Sequence, residues 1–195
     1  MGQYYFPVLS RDGKKTFTSY RAKDLGGLKL MEHSWWCNNL TCAISKKIYK
    51  KPQHVWWCGD YAVDRLYDKE KDEYYVDPET EEPLKTVYDV AWGEHREPKR
   101  VTSDFTLDGK FLCNHTKKIY MDCDEYFNAP QNKSWENWVI HPLPLLTAVG
   151  NGQGGGDYWS EEGKSDVGSW AGDKISVRDV PIKGYKKVFY NFVER

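Results

Sequence analysis

The chain has 195 residues, 28 basic and 29 acidic side chains and a formal net charge of −1. That balance excludes the basic face that general nucleic-acid binding needs. Apolar residues are 39% of the chain, and the absence of any apolar run of roughly 18 residues excludes a helical membrane span. Length and composition fit a single globular domain over residues 1–195. Aromatics are the outlier at 15%, with nine tryptophans and fourteen tyrosines, so much of the core is expected to be aromatic.

In chain order, residues 3–9 are aromatic and β-branched and predict a strand. Arg11-Asp12-Gly13-Lys14 predicts a turn and residues 16–20 a returning strand, the pattern of a hairpin. Residues 25–30 follow a short loop. Over residues 38–49, Leu40, Ile44 and Ile48 recur at helical spacing and Lys46 and Lys47 fall on the polar face. Asn38 or Asn39 is the expected N-cap, and Pro52 lies beyond the end. These lysines, with Lys50 and Lys51, form a local basic patch. The run HVWWCGDY, residues 54–61, predicts a buried strand. Residues 68–82 are highly charged, carry Pro78 and read as an exposed loop, followed by a short helix over 84–92.

Residues 105–109 hold a second Asp-Gly turn, and residues 111–121 read strand, turn at 114–117, strand. Residues 138–149 are apolar but contain Pro142 and Pro144, which predicts an edge strand or extended segment. Residues 167–177 and 185–193 supply the last strands. No helix–strand alternation of the βαβ kind occurs. The predicted class is therefore α+β: a mainly antiparallel sheet with hairpins and one or two packed helices.

Chemistry concentrates at residues 148–159, AVGNGQGGGDYW. Gly150, Gly152 and Gly155 match G-x-G-x-x-G, but no crossover helix follows, so the dinucleotide fingerprint is rejected. Gly163-Lys164-Ser165 fails as a P-loop, because Tyr158 stands where the first glycine belongs. What remains is a glycine-rich turn able to present several backbone N–H groups to one anion. Gly150, Asn151, Gly152, Gly154, Gly155, Gly156, Asp157, Tyr158 and Trp159 are the expected ligand-binding residues.

A Gly-Asp step recurs beside aromatics at Gly59-Asp60, Gly156-Asp157 and Gly172-Asp173. If they converge, Asp60, Asp157 and Asp173 form a site for Mg²⁺ or Mn²⁺, and they are the candidate catalytic residues. The plainer reading is that Gly-Asp is common turn chemistry. The five histidines and five cysteines lack zinc-finger spacing. No G-x-S-x-G elbow occurs. The odd cysteine count and an N-terminus without a basic and apolar leader lead to an expectation of reduced thiols in a cytoplasmic setting. The pairs Trp35-Trp36 and Trp56-Trp57 place one ring on each side of an extended chain, so core packing or sheet-face stacking is the plainer reading and one ring of a pair is a candidate to line a surface or cleft.

The blocks MGQYY, GLKLMEHS, VWWCGDYA, CNHTKKIYMD, GNGQGGGDY and VGSWAGDKI resemble those of a family of small bacterial and phage proteins with no assigned activity. The resemblance implies a cytosolic setting and phage ancestry, and by analogy a role against nucleotide signals of host defence. Three functions are thus expected at this level. One is a binder of a phosphate-bearing, nucleotide-like molecule, with residues 152–156 on the phosphate, Tyr158 or Trp159 on the base, and Asp157 on a sugar hydroxyl or a metal. The second is a metal-dependent phosphoesterase using the three aspartates. The third is an interaction module that anchors a host protein on exposed aromatics.

Overall fold

The computed structural model describes residues 4–13, 16–24, 28–60, 67–68, 73–74, 87, 97–133, 138–149, 158–159 and 166–194. Strand β1 (Tyr4–Ser10) turns at residues 11–13 and returns as β2 (Phe17–Ala22), with Ser10 opposite Phe17. Asp12 organises the turn. Its carboxylate accepts from the Ser10 hydroxyl at 3.0 Å and from the Thr16 N–H at 3.3 Å. A short β3 (Leu28–Lys29) leads into α1 (Leu30–His33), and α2 (Asn39–Ile48) follows. The Asn38 side chain caps α2 by accepting from the Leu40 N–H at 2.9 Å, which satisfies one of the donors a helix start leaves open.

After α2 comes β4 (Gln53–Gly59), then the two-residue strands β5 (Tyr67–Asp68) and β6 (Glu73–Tyr74), which pair with each other. Part of the charged 68–82 segment is thus a short ladder. Of the helix predicted over 84–92, only Val87 is described, and it is helical and buried. Further on lie β7 (Lys99–Val101), the hairpin β8 (Phe111–Asn114) and β9 (Ile119–Asp122), and α3 (Cys123–Asn128). Then come α4 (Pro142–Leu146), β10 (Ala148–Val149), β11 (Tyr158–Trp159), β12 (Lys174–Arg178), β13 (Lys186–Lys187) and β14 (Val193–Glu194).

One sheet carries most of these strands in the order β13-β9-β8-β12-β4-β1-β2-β7, with β10 beside β4 and β3 beside β1. Its centre is antiparallel, but β13–β9, β2–β7 and β10–β4 are parallel. The class is α+β as expected, with a mixed sheet. Among the described residues no helix is long and apolar enough to cross a membrane.

Side-chain alternation along the central strands separates two cores. Val55 and Trp57 of β4, with Tyr5 and Leu9 of β1, face the main one, which α2 covers with Leu40, Ile44 and Ile48. Trp56 and Cys58 face the other side and pack with Val8, Phe17 and Val149. Both rings of the pair at 56–57 are therefore buried.

The segment 138–149 differs from the expected extended run, because residues 142–146 are helical. Pro142 and Pro144 occupy the first turn of α4, where a helix has no intrahelical use for its N–H groups, so the missing donors cost nothing. His141 caps this helix: its Nδ1 accepts from the Leu143 N–H at 3.2 Å. The proton of the neutral ring is then on Nε2, which donates to the Ser45 hydroxyl of α2 at 3.2 Å. The late segments also differ. Residues 167–172 are turns rather than strand, and 185–193 is strand only at its two ends.

Two outcomes test this core. Ile44 has no exposed surface, so Ile44→Ala should cost roughly 2–5 kcal/mol in denaturant unfolding. The second concerns His33 and His141, whose pKa values burial pushes down to about 3. An unfolded histidine titrates near ~6.5, so below that pH the unfolded chain binds protons that the folded chain refuses. Stability is full above ~6.5 and falls as pH drops, by up to roughly 1.4 kcal/mol per pH unit for each ring. His141→Asn keeps a capping side chain and cannot titrate. Urea unfolding between pH 7.5 and pH 4.5 should show a shallower loss in that variant than in the wild type.

Candidate functional site

The expected site residues fall in different places. Residues 150–157, including Asp157 and the glycines of the run, lie outside the described residues. Tyr158 and Trp159 form β11 and pair with β14. Asp60 closes one end of the β1–β4 pair: its N–H donates to the Tyr4 carbonyl at 3.0 Å and its carboxylate accepts from the Tyr4 N–H at 3.1 Å. Asp173 lies at the other end of β4. Its carbonyl accepts from the Val55 N–H at 3.2 Å, and its carboxylate is held by the Asn114 amide at 2.7 Å and the Lys117 ammonium at 2.8 Å.

The register Lys174↔His54 puts Asp173 opposite Val55. Asp60 is then five residues along an extended strand, roughly 16 Å away. Ligands of one Mg²⁺ each lie about 2 Å from the ion. One ion cannot bridge Asp60 and Asp173, and the three-aspartate site is corrected on that ground. Among the described residues no group of three or more histidine, cysteine, aspartate or glutamate side chains is placed to hold a metal.

The SWAGD stretch is explained by packing. Gly168 has φ +79°, and a Cβ there would stand 2.6 Å from the Ala148 carbonyl oxygen. Its N–H donates to Leu145 O at 2.7 Å and that of Trp170 to Leu146 O at 2.6 Å. The turn is thereby clamped onto the end of α4. The Trp170 ring is fully buried, and its N–H donates to the Tyr190 hydroxyl at 2.8 Å. Gly-Asp here is turn chemistry around a core tryptophan.

A different set of residues makes a cavity. Between α1 and α2 the chain turns over residues 34–38, and this turn is stitched to residues 139–141. The Trp36 N–H donates to Val139 O at 3.0 Å, and the His141 N–H donates to Ser34 O at 2.8 Å. Trp35 and Ile140 form an antiparallel bridge. A cleft of about 580 Å³ opens there. Its walls are Trp35, Trp36, Phe127 of α3 and Trp138, and Val139 adds apolar surface. Glu32, Cys37 and Asn38 bring the polar atoms.

The aromatic walls form two corners. Trp35 and Trp138 meet edge to face at 90°, with centroids 5.4 Å apart. Trp36 and Phe127 are tilted by 58° at 5.0 Å. Trp36 is fixed from behind. It stacks on Tyr126 at 6.3 Å, and its indole N–H donates to the Asp108 carboxylate at 3.2 Å. Trp138 is 55% exposed. Among the described residues Glu32 is the single formally charged one of the lining. One of its oxygens accepts from the Lys29 N–H at 2.8 Å, which satisfies the backbone donor of the N-cap residue of α1 and leaves the other oxygen uncommitted by that bond.

The pair Trp35-Trp36 was the sequence signal for this cleft. Trp138 and Phe127 carried none, because only the fold brings them beside it. No known protein family, curated protein or solved structure matches the chain.

All five cysteines are free, and Cys37 alone is exposed. Burial pushes the Cys42 and Cys113 thiols up to about 11 and raises that of Cys123 as well. A thiolate-selective reagent such as DTNB should therefore titrate one thiol in the native protein and all five after denaturation. In Cys37→Ser the native reaction should vanish.

Proposed function

We propose that this protein binds a small organic molecule and that the aromatic cleft holds it. The observation that supports the reading is the gathering of three indoles and a phenyl ring around one cavity of about 580 Å³. Small-molecule sites are typically concave, mostly apolar and roughly 300–1,000 Å³ in size, with a few polar groups to orient the ligand. Glu32, Cys37 and Asn38 are such groups. Trp138 keeps more than half its surface in water, so part of its indole is open to a guest.

Charge narrows the ligand. A phosphate in this cleft would meet the Glu32 carboxylate and no cation among the described lining residues. The nucleotide-like, phosphate-bearing ligand thus rests on the glycine run at 150–157 and the host-defence setting on the family resemblance, and the cleft suits an uncharged or cationic guest. Binding in the cleft has two direct readouts: indole fluorescence, and access of alkylating reagent to Cys37. Uncharged flat probes, such as caffeine and indole itself, should slow alkylation of Cys37 by iodoacetamide. Trp138→Ala should weaken that protection roughly tenfold, in line with the loss of one stacking wall. Equal protection in wild type and Trp138→Ala would place the ligand elsewhere.

A further inference from the structure

We propose that the cleft is an aromatic cage for a small quaternary ammonium alcohol of the choline type. The inference rests on the reading of the cleft as the ligand site. Three features of the lining point to that chemistry. The first is the walls: three tryptophans and a phenylalanine set in two angled corners. Tryptophan presents the most attractive ring face to a cation, and rings at an angle meet a round cation on several sides at once.

The second is charge. Among the described lining residues Glu32 is the one formal charge, and it is negative. Behind the cleft, the Asp108 carboxylate accepts the Trp36 indole N–H at 3.2 Å. That bond polarises the indole toward a more negative face, which strengthens its pull on a cation.

The third is what the cleft lacks. A primary ammonium brings three N–H donors and needs an acceptor for each. The lining side chains offer few: the Asn38 oxygen already caps α2, and one Glu32 oxygen already caps α1. A quaternary ammonium has no donors and wraps its charge in methyl groups, so apolar walls with one carboxylate satisfy it. Glu32 also disfavours guests that carry an anion. Betaine adds a carboxylate and phosphocholine a phosphate, and each would meet Glu32 at close range. The free amino alcohol avoids this, and its hydroxyl is a donor for the Glu32 oxygen that does not cap α1.

The test is calorimetric titration of the full chain, at constant ionic strength, with choline chloride, tetramethylammonium chloride, betaine and 3,3-dimethyl-1-butanol. The last is the uncharged carbon isostere of choline. Choline and tetramethylammonium should bind and protect Cys37 from alkylation. The isostere should bind roughly tenfold more weakly, the size expected of a desolvated cation–π contact. Glu32→Gln should shrink the preference for choline over the isostere, while an unchanged melting temperature shows that glutamine still caps α1. Choline binding no tighter than the isostere, or a preference unchanged in Glu32→Gln, would overturn the proposal. If caffeine or indole protects Cys37 and choline does not, the cage falls and the cleft stands as a ligand site. If none of them protects Cys37, both fall.

Discussion

Strand β4 has no face left for water, and the rest of the fold answers that constraint. Its successive side chains Val55, Trp56, Trp57 and Cys58 are all buried, alternately in the main core and in the smaller one behind the sheet. Both edges are also taken. β1 pairs along one edge from Tyr5↔Gly59 to Ser10↔His54. The other edge is shared by β12 at the start of the strand and by β10 near its end. A strand buried on both faces must be covered twice. Helix α2 covers the main face, and on the other Val8 and Phe17 of the neighbouring strands flank Trp56 and Val87 packs in the same cluster.

The cleft grows from the same strand. The Trp57 indole N–H donates to His33 Nε2 at 2.5 Å, which ties the end of α1 to the middle of β4. The chain then crosses to α2 over residues 34–38, and Trp35 and Trp36 come from this crossing. Its backbone is bonded to residues 139–141, and Thr41 of α2 donates to the Trp35 carbonyl at 3.1 Å. The inner ring of the cleft, Trp36, is therefore part of the core, the outer ring Trp35 stands on backbone bonded to Ile140 and Asn38, and Trp138 precedes the bonded Val139. A guest entering it would have little side-chain or loop freedom to remove at that inner wall, which lowers the cost of binding.

What the sequence made legible was local. Helix α2 carried its period, its Asn38 cap and its buried stripe within a dozen residues, and the hairpins at Asp12-Gly13 and at 115–118 carried their own turn chemistry. The failures came where meaning depended on distant partners. Pro142 and Pro144 break a strand, but in the first turn of a helix they break nothing, and only the His141 cap tells the two apart. The Gly-Asp steps at 60 and 173 look alike because each ends a strand or turn, and the register that separates them is not written in either. The GSWAGD block held a candidate aspartate, yet Gly168 and Gly172 answer the close approach of Ala148 and Trp56 to the turn. Of the cleft, the adjacent Trp35 and Trp36 were visible in the sequence. Phe127 and Trp138 join them from segments about a hundred residues away, and no periodicity announces that meeting.

The electrostatics of the cleft depends on a charge that is absent. His141 lies with its ring 5.8 Å from that of Trp36, on the core side of the cleft. As an imidazolium it would oppose a cation in the cleft and compete for the field of Glu32. Burial pushes its pKa down to about 3, and its two nitrogens are engaged with the Leu143 N–H and the Ser45 hydroxyl in the neutral tautomer. The residue that caps α4 thus leaves the inner wall of the cleft without positive charge at neutral pH. Asp108 on the Trp36 indole and Glu32 at the lining then act in the same direction. The packing demand that buries His141 and the negative character of the described lining are one arrangement: folding keeps neutral a nearby group that as a cation would oppose it.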